Sequence, residues 1–119
     1  MKDIPGTMEM QFAEIIWENE PVPSGRLVEL AADALGWKKS TTYTMLRRLC
    51  ARGIFENVDA VVRAKLSREE YFAVQSEIFV QKEFGGSLPK FIAAFTSRQK
   101  LSDAEIDELQ KLIDESRRK

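Results

Sequence analysis

Histidine is absent from the 119 residues, and with it the side chain most often used as a general base or metal ligand. The single cysteine, Cys50, excludes an internal disulfide framework, leaves no partner for a zinc site, and implies a reducing compartment. Within the helical run LRRLCARG it reads as a small apolar filler, with a reactive thiol as the alternative. No apolar run approaches the length that crosses a bilayer, so membrane insertion is not expected. The opening MKDIPGTMEM has one Lys and no apolar stretch, unlike a signal peptide, and the expected location is cytoplasmic. No glycine loop is built to cradle phosphate: Gly85-Gly86-Ser87 follows a helical pattern and the lysine of a P-loop is missing. Without a titratable cluster the chain is not expected to be an enzyme, nor to hold a metal or other cofactor.

Acidic side chains are also missing, but only locally. The chain has 18 Lys and Arg against 19 Asp and Glu, a net charge of −1. Yet from Ala34 through Phe55 there is no Asp or Glu, while Lys38, Lys39, Arg47, Arg48 and Arg52 fall there. Acids gather before it (Asp3, Glu9, Glu14, Glu18, Glu20) and near the end (Asp103 to Glu115). A segregated basic island is what a polyanion would meet, whatever the whole-chain average.

Residues 7–18 have helical periodicity, with Met8, Phe12, Ile15 and Ile16 near one face and Thr7 as N-cap. Pro21 and Pro23 break that helix. Ser24 is expected to cap a second helix whose face carries Leu27, Leu30, Ala31 and Ala34, stopped by Gly36. A third runs from about Ser40 to Arg52, ended by Gly53, with Thr42, Met45, Leu46 and Leu49 as its buried face. Then IFENVDAVVRAKLS alternates, with Val62, Ala64 and Leu66 opposite Val61, Arg63 and Lys65; this predicts a strand paired with IFEN through a turn at 57–60. Ser67-Arg68-Glu69-Glu70 is a capping box opening a helix to about Phe84. Gly85-Gly86-Ser87 stops it, Leu88–Ser97 forms a short helix, and a second capping box at Ser102 to Glu105 starts the last.

The expected fold is mainly α: a winged helix-turn-helix of three helices plus a two-stranded wing over residues 1–67, then a three-helix dimerisation region over 68–119. The last three helices carry too few apolar positions for a core of their own. Tyr71, Phe72, Ile78, Phe79, Phe91, Phe95, Ile106, Leu109, Leu112 and Ile113 are expected to meet a second subunit; folding back on the same chain is the alternative.

The run from Trp37 to Leu49 bears the chemistry. Lys38, Lys39 and the amides of the helix start, with Ser40, suit phosphate oxygens. Thr41, Tyr43, Thr44 and Arg47 or Arg48 lie where side chains reach base edges or a thymine methyl. Arg63 and Lys65, on the outer face of the wing, face either the DNA backbone or solvent.

These residues resemble the BlaI/MecI family of penicillinase-type repressors, a family that also includes CopY-type copper-responsive members. The likeness rests on Glu14-Ile15-Ile16-Trp17, on Trp37 with Thr41, Thr44, Arg48, Leu49 and Gly53, on Phe84-Gly85-Gly86-Ser87, and on Leu101-Ser102 with Glu105, Ile106, Glu108 and Leu109. The resemblance implies a homodimer that represses genes from a two-fold-symmetric, double-stranded operator, with Thr41, Thr44 and Arg48 as contacts. In the penicillinase branch it also implies release through a membrane sensor protease that cuts the dimerisation domain. The family's cleaved Asn-Phe bond aligns with Ala94-Phe95 here, and the Cys-x-Cys motifs of the copper branch are absent. A winged helix that binds an acidic protein instead of DNA is the alternative reading, motivated by the overall acidity.

Overall fold

The computed structural model describes residues 7–119. In chain order the elements are α1 (Thr7–Asn19), β1 (Val22–Pro23), α2 (Ser24–Leu35), α3 (Lys39–Ala51), β2 (Phe55–Val58), β3 (Val61–Ala64), α4 (Arg68–Phe84), α5 (Leu88–Thr96) and α6 (Asp103–Ser116). The chain falls into two compact units that divide within α4, after Gln75.

The first unit is the winged helix. Its sheet has the order β1-β3-β2, antiparallel throughout. The hairpin pairs Phe55 with Ala64 and Val58 with Val61, so the alternation of the wing is reproduced: Val62 is buried and Arg63 exposed. Its two-residue turn places Asp59 at φ 52° and Ala60 at φ 62°, the left-handed geometry that matches the twist of the flanking strands. The third strand was not anticipated. Pro21 and Pro23 read as helix breakers, but Val22 and Pro23 pair with Val62 and Val61. Pro23 can do so because β1 is an edge strand, where a missing N–H costs the ladder nothing.

Ser24 does not cap α2. The cap position is Pro23, without a side-chain hydrogen bond, and Ser24 is the first helical residue, buried. Gly36 ends the helix at φ 69° as expected. Gly53, at φ 80°, closes α3 through two backbone bonds, Gly53 N–H to the Cys50 carbonyl and Ile54 N–H to the Leu49 carbonyl; this is a Schellman stop, which needs a residue free to be left-handed.

The core of this unit joins Phe12, Ala13 and Ile16 of α1 to Val22, to Leu27 and Ala31 of α2, to Leu46 and Leu49 of α3, and to Ile54, Phe55 and Val62. Met8 and Ala34, expected on buried faces, are exposed. Tyr71 completes the core. Its ring stands 5.7 Å from that of Trp17, which also contacts Phe55 at 5.3 Å and donates its indole N–H to the Leu66 carbonyl at 3.0 Å. Tyr71 therefore belongs to the winged-helix core and not to an exposed dimerisation face. The first turns of α4 go with it, so the expected boundary after residue 67 moves into the helix. The capping box that opens α4 is formed: Ser67 N–H donates to Glu70 Oε1 at 2.8 Å and Glu70 N–H to Ser67 Oγ at 3.1 Å.

The second unit, Ser76–Lys119, holds the rest of α4 with α5 and α6. Gly85 and Gly86 take left-handed φ values of 59° and 81° at the end of α4, the Ser87 hydroxyl caps α5, and a reciprocal Ser102–Glu105 box caps α6. Phe79, Phe84 and Phe91 stack edge-on or tilted with centroids 5.5–6.1 Å apart. None of its residues is buried, and Ile78, Phe79, Leu88, Phe95, Ile106, Leu112 and Ile113 stand exposed.

Candidate nucleic-acid interface

The orientation of α3 follows from its buried stripe. Thr42, Leu46 and Leu49 are 1–2% exposed, and Thr42 also returns its hydroxyl to the Lys38 carbonyl at 3.2 Å. With 100° per residue, Ser40, Thr44 and Arg47 then stand opposite that stripe. All three are exposed, as are Lys38, Lys39 and Thr41 beside them. The N-cap, Lys38, makes no side-chain cap bond, so the first-turn amides and their partial positive charge are presented outward with two lysines. Among the described residues, Lys38, Lys39 and Arg47 are in no ion pair.

The edges of this face are tied to neighbouring helices. On one side the Tyr43 phenol lies 3.1 Å from Ser24 Oγ at the start of α2, and its ring packs against the core. On the other, Arg48 Nη1 donates to Glu9 Oε1 of α1 at 3.1 Å, and Arg52 Nη1 to Glu9 Oε2 at 2.9 Å. The structure thus brings Lys38, Lys39, Ser40, Thr41, Thr44 and Arg47 together on one free surface, and engages Tyr43 and Arg48 in contacts within the unit. Sequence reasoning placed Arg48 with the first set. Its partner lies 39 positions away, and no local spacing points to it.

The wing adds little charge. Arg63 and Lys65 are exposed, while the hairpin tip is Val58, Asp59, Ala60 and Val61. Glu20 Oε1 accepts the Ala64 N–H at 2.7 Å, fastening the base of the wing. At the rear of α3, burial pushes the Cys50 thiol pKa up from its ordinary value; Glu56 adds to the rise and Lys65 opposes it. Cys50 is consequently a half-buried thiol whose surroundings favour its protonated form. No helix of the described residues is long and apolar enough to cross a membrane.

The sequence model of the penicillinase repressor family matches residues 5–115. The chain belongs to the penicillinase repressor family. Among the family's characterised members it is similar to the penicillinase repressor of Bacillus licheniformis, 26% identical over 121 residues that cover 97% of this chain and 94% of that one. It is also similar to the methicillin resistance regulatory protein MecI of Staphylococcus aureus, 23% identical over 112 residues, 88% of this chain and 89% of the other. The family match extends across both units.

Proposed function

We propose that this protein is a DNA-binding transcriptional repressor that lays α3 in the major groove of a palindromic operator as a homodimer. The carrying observation is the acid-free, outward face of Lys38, Lys39, Ser40, Thr41, Thr44 and Arg47. Lys38 and Lys39, with the helix-start amides, fit phosphate oxygens and fix orientation. Ser40, Thr41 and Thr44 offer hydroxyls and methyls to base edges, and Arg47 offers a two-pronged donor suited to guanine. Arg63 is a backbone contact from the wing. Tyr43 and Arg48 shape the two margins of the surface.

Dimerisation through α4–α6 accounts for the apolar side chains left in water on the second unit. Phe79, Phe95, Ile106, Leu112 and Ile113 are each about half exposed, and Phe91, Ile92, Phe95, Leu101, Leu109 and Leu112 line an apolar groove of about 400 Å³ between α5 and α6. Such a surface is more apolar than a monomer of this size normally keeps in water. A symmetric dimer predicts half-sites about 10 base pairs apart, one helical turn. Repression is relieved by a signal-dependent step, with proteolysis by a membrane sensor protease as the family-derived route. Ala94 and Phe95 lie inside α5, so cleavage there requires that helix to unwind locally.

The test is a fluorescence-anisotropy titration against duplex from upstream of the protein's own gene, with a scrambled duplex as control. Preference for the native sequence supports the reading. Negligible affinity for both duplexes at moderate salt favours a protein partner for the same face.

A further inference from the structure

We propose that Glu9 sets the selectivity of DNA binding by pairing with Arg48 and Arg52 in an ion triad that competes with phosphates for both guanidiniums. This inference rests on the DNA-binding reading above. The two oxygens of the Glu9 carboxylate are divided between the two arginines, at 3.1 and 2.9 Å. The acid is the recessed member, 19% exposed against 56% and 50% for the guanidinium side chains. Each arginine therefore reaches inward across the surface of α3 to a fixed anion on α1. Glu9 itself lies in the first turn of α1, where the helix dipole also favours its charge.

The position of the triad gives it consequence. Thr41, Thr44, Arg48 and Arg52 follow one another along a single stripe of α3, at spacings of three, four and four. The first half of that stripe presents hydroxyls and the second half guanidiniums. Hydroxyl contacts to base edges discriminate among sequences, whereas cation contacts to phosphate do not. Arg48 and Arg52, if free, would add two sequence-independent contacts beside those of Lys38 and Lys39. A carboxylate pinned between them occupies a donor of each and opposes the approach of a phosphate. Glu9 thereby lowers affinity for arbitrary duplex while leaving the hydroxyl face untouched.

Glu9→Gln keeps the shape of the side chain and removes its charge. Parent and variant are titrated by anisotropy against the upstream duplex and its scrambled control over a series of salt concentrations. The variant is expected to bind the scrambled duplex about tenfold tighter at low salt, its log–log salt slope steeper by about one to two, since each phosphate neutralised contributes about 0.9. The ratio of specific to scrambled affinity falls accordingly. If the parent discriminates and the variant matches it on scrambled DNA, the inference is overturned and the DNA-binding reading stands. Weaker binding of the variant to both duplexes also overturns it, because Glu9 would then be holding Arg48 in a productive pose. A parent that binds neither duplex overturns the reading and the inference together. Should Glu9→Gln fail to fold by circular dichroism, R48Q/R52Q carries the test: with both guanidiniums already paired to Glu9, its slope on scrambled DNA should shift by less than about half a unit. A fall of about two units in that slope contradicts the proposal.

Discussion

The phenolic oxygen of Tyr43 on α3 lies 3.1 Å from the hydroxyl of Ser24, the first residue of α2. Ser24 is only 6% exposed, so water cannot readily replace the tyrosine. The contact fixes the rotation of α3 against α2. Tyr43→Phe keeps the ring and removes the partner, and is expected to cost about 1 kcal/mol in urea unfolding, the usual loss for one buried hydrogen bond. DNA affinity should change little if Tyr43 is a margin residue; a large loss of affinity with unchanged stability would place its hydroxyl on the DNA.

The wing turn carries an alanine where glycine is favoured. Ala60 sits at φ 62°, and its carbonyl accepts the Ser24 N–H at 2.8 Å. Asp-Gly is a preferred pair for this turn, and left-handed backbone is costly for a residue with a Cβ. Ala60→Gly should raise stability by roughly 0.5–1 kcal/mol, because relief of strain exceeds the added entropy of the unfolded chain. A lower melting temperature would contradict that.

Much of this arrangement is legible in the sequence, for a physical reason. Periodicity in α3 alone separates Thr42, Leu46 and Leu49 from Ser40, Thr44 and Arg47, since the same stripe must be buried however the rest packs. Gly36 and Gly53 mark helix ends because few other residues tolerate their φ, and the Ser67 and Ser102 boxes are local four-residue motifs. What the sequence concealed depends on partners far along the chain. Val22–Pro23 becomes a strand only because β3 lies beside it. Tyr71 looks like one more apolar residue on an amphipathic helix until Trp17 is seen against it. Arg48 looks free until α1 brings Glu9 to it. Each miss is a tertiary contact across tens of residues, which no local pattern encodes.

The two units should respond differently to truncation. Leu27 is fully buried, and Leu27→Ala is expected to destabilise the winged helix by about 2–5 kcal/mol through lost burial and the cavity left behind. Leu112 is 61% exposed. On the proposed dimer, Leu112→Asp should leave the winged-helix fold intact by circular dichroism and shift sedimentation from dimer to monomer, with weaker operator binding as the consequence. A variant that still sediments as a dimer would remove Leu112 from the interface.

Cys50 provides a pH signature. Its folded pKa is raised by burial and by Glu56, so the native state favours the protonated thiol. The associated stability is present below the ordinary thiol pKa and is lost as pH rises through the higher folded value. Reaction with a thiol reagent at mildly alkaline pH should be slower in the folded protein than in urea, and Cys50→Ser should flatten the alkaline fall in stability. Equal rates in both states would show the thiol to be accessible and unshifted.

Whether the free face of α3 reads DNA turns on Arg47. Arg47 stands opposite the buried stripe and pairs with no acid among the described residues. An anisotropy titration of Arg47→Ala and its parent against the upstream and scrambled duplexes, at matched salt, isolates its contribution. Loss of about 1–3 kcal/mol on the upstream duplex, with a smaller loss on the scrambled one and an intact dimer, is the predicted result for a base-reading arginine. Equal affinity of parent and variant for the upstream duplex would take α3 out of the groove.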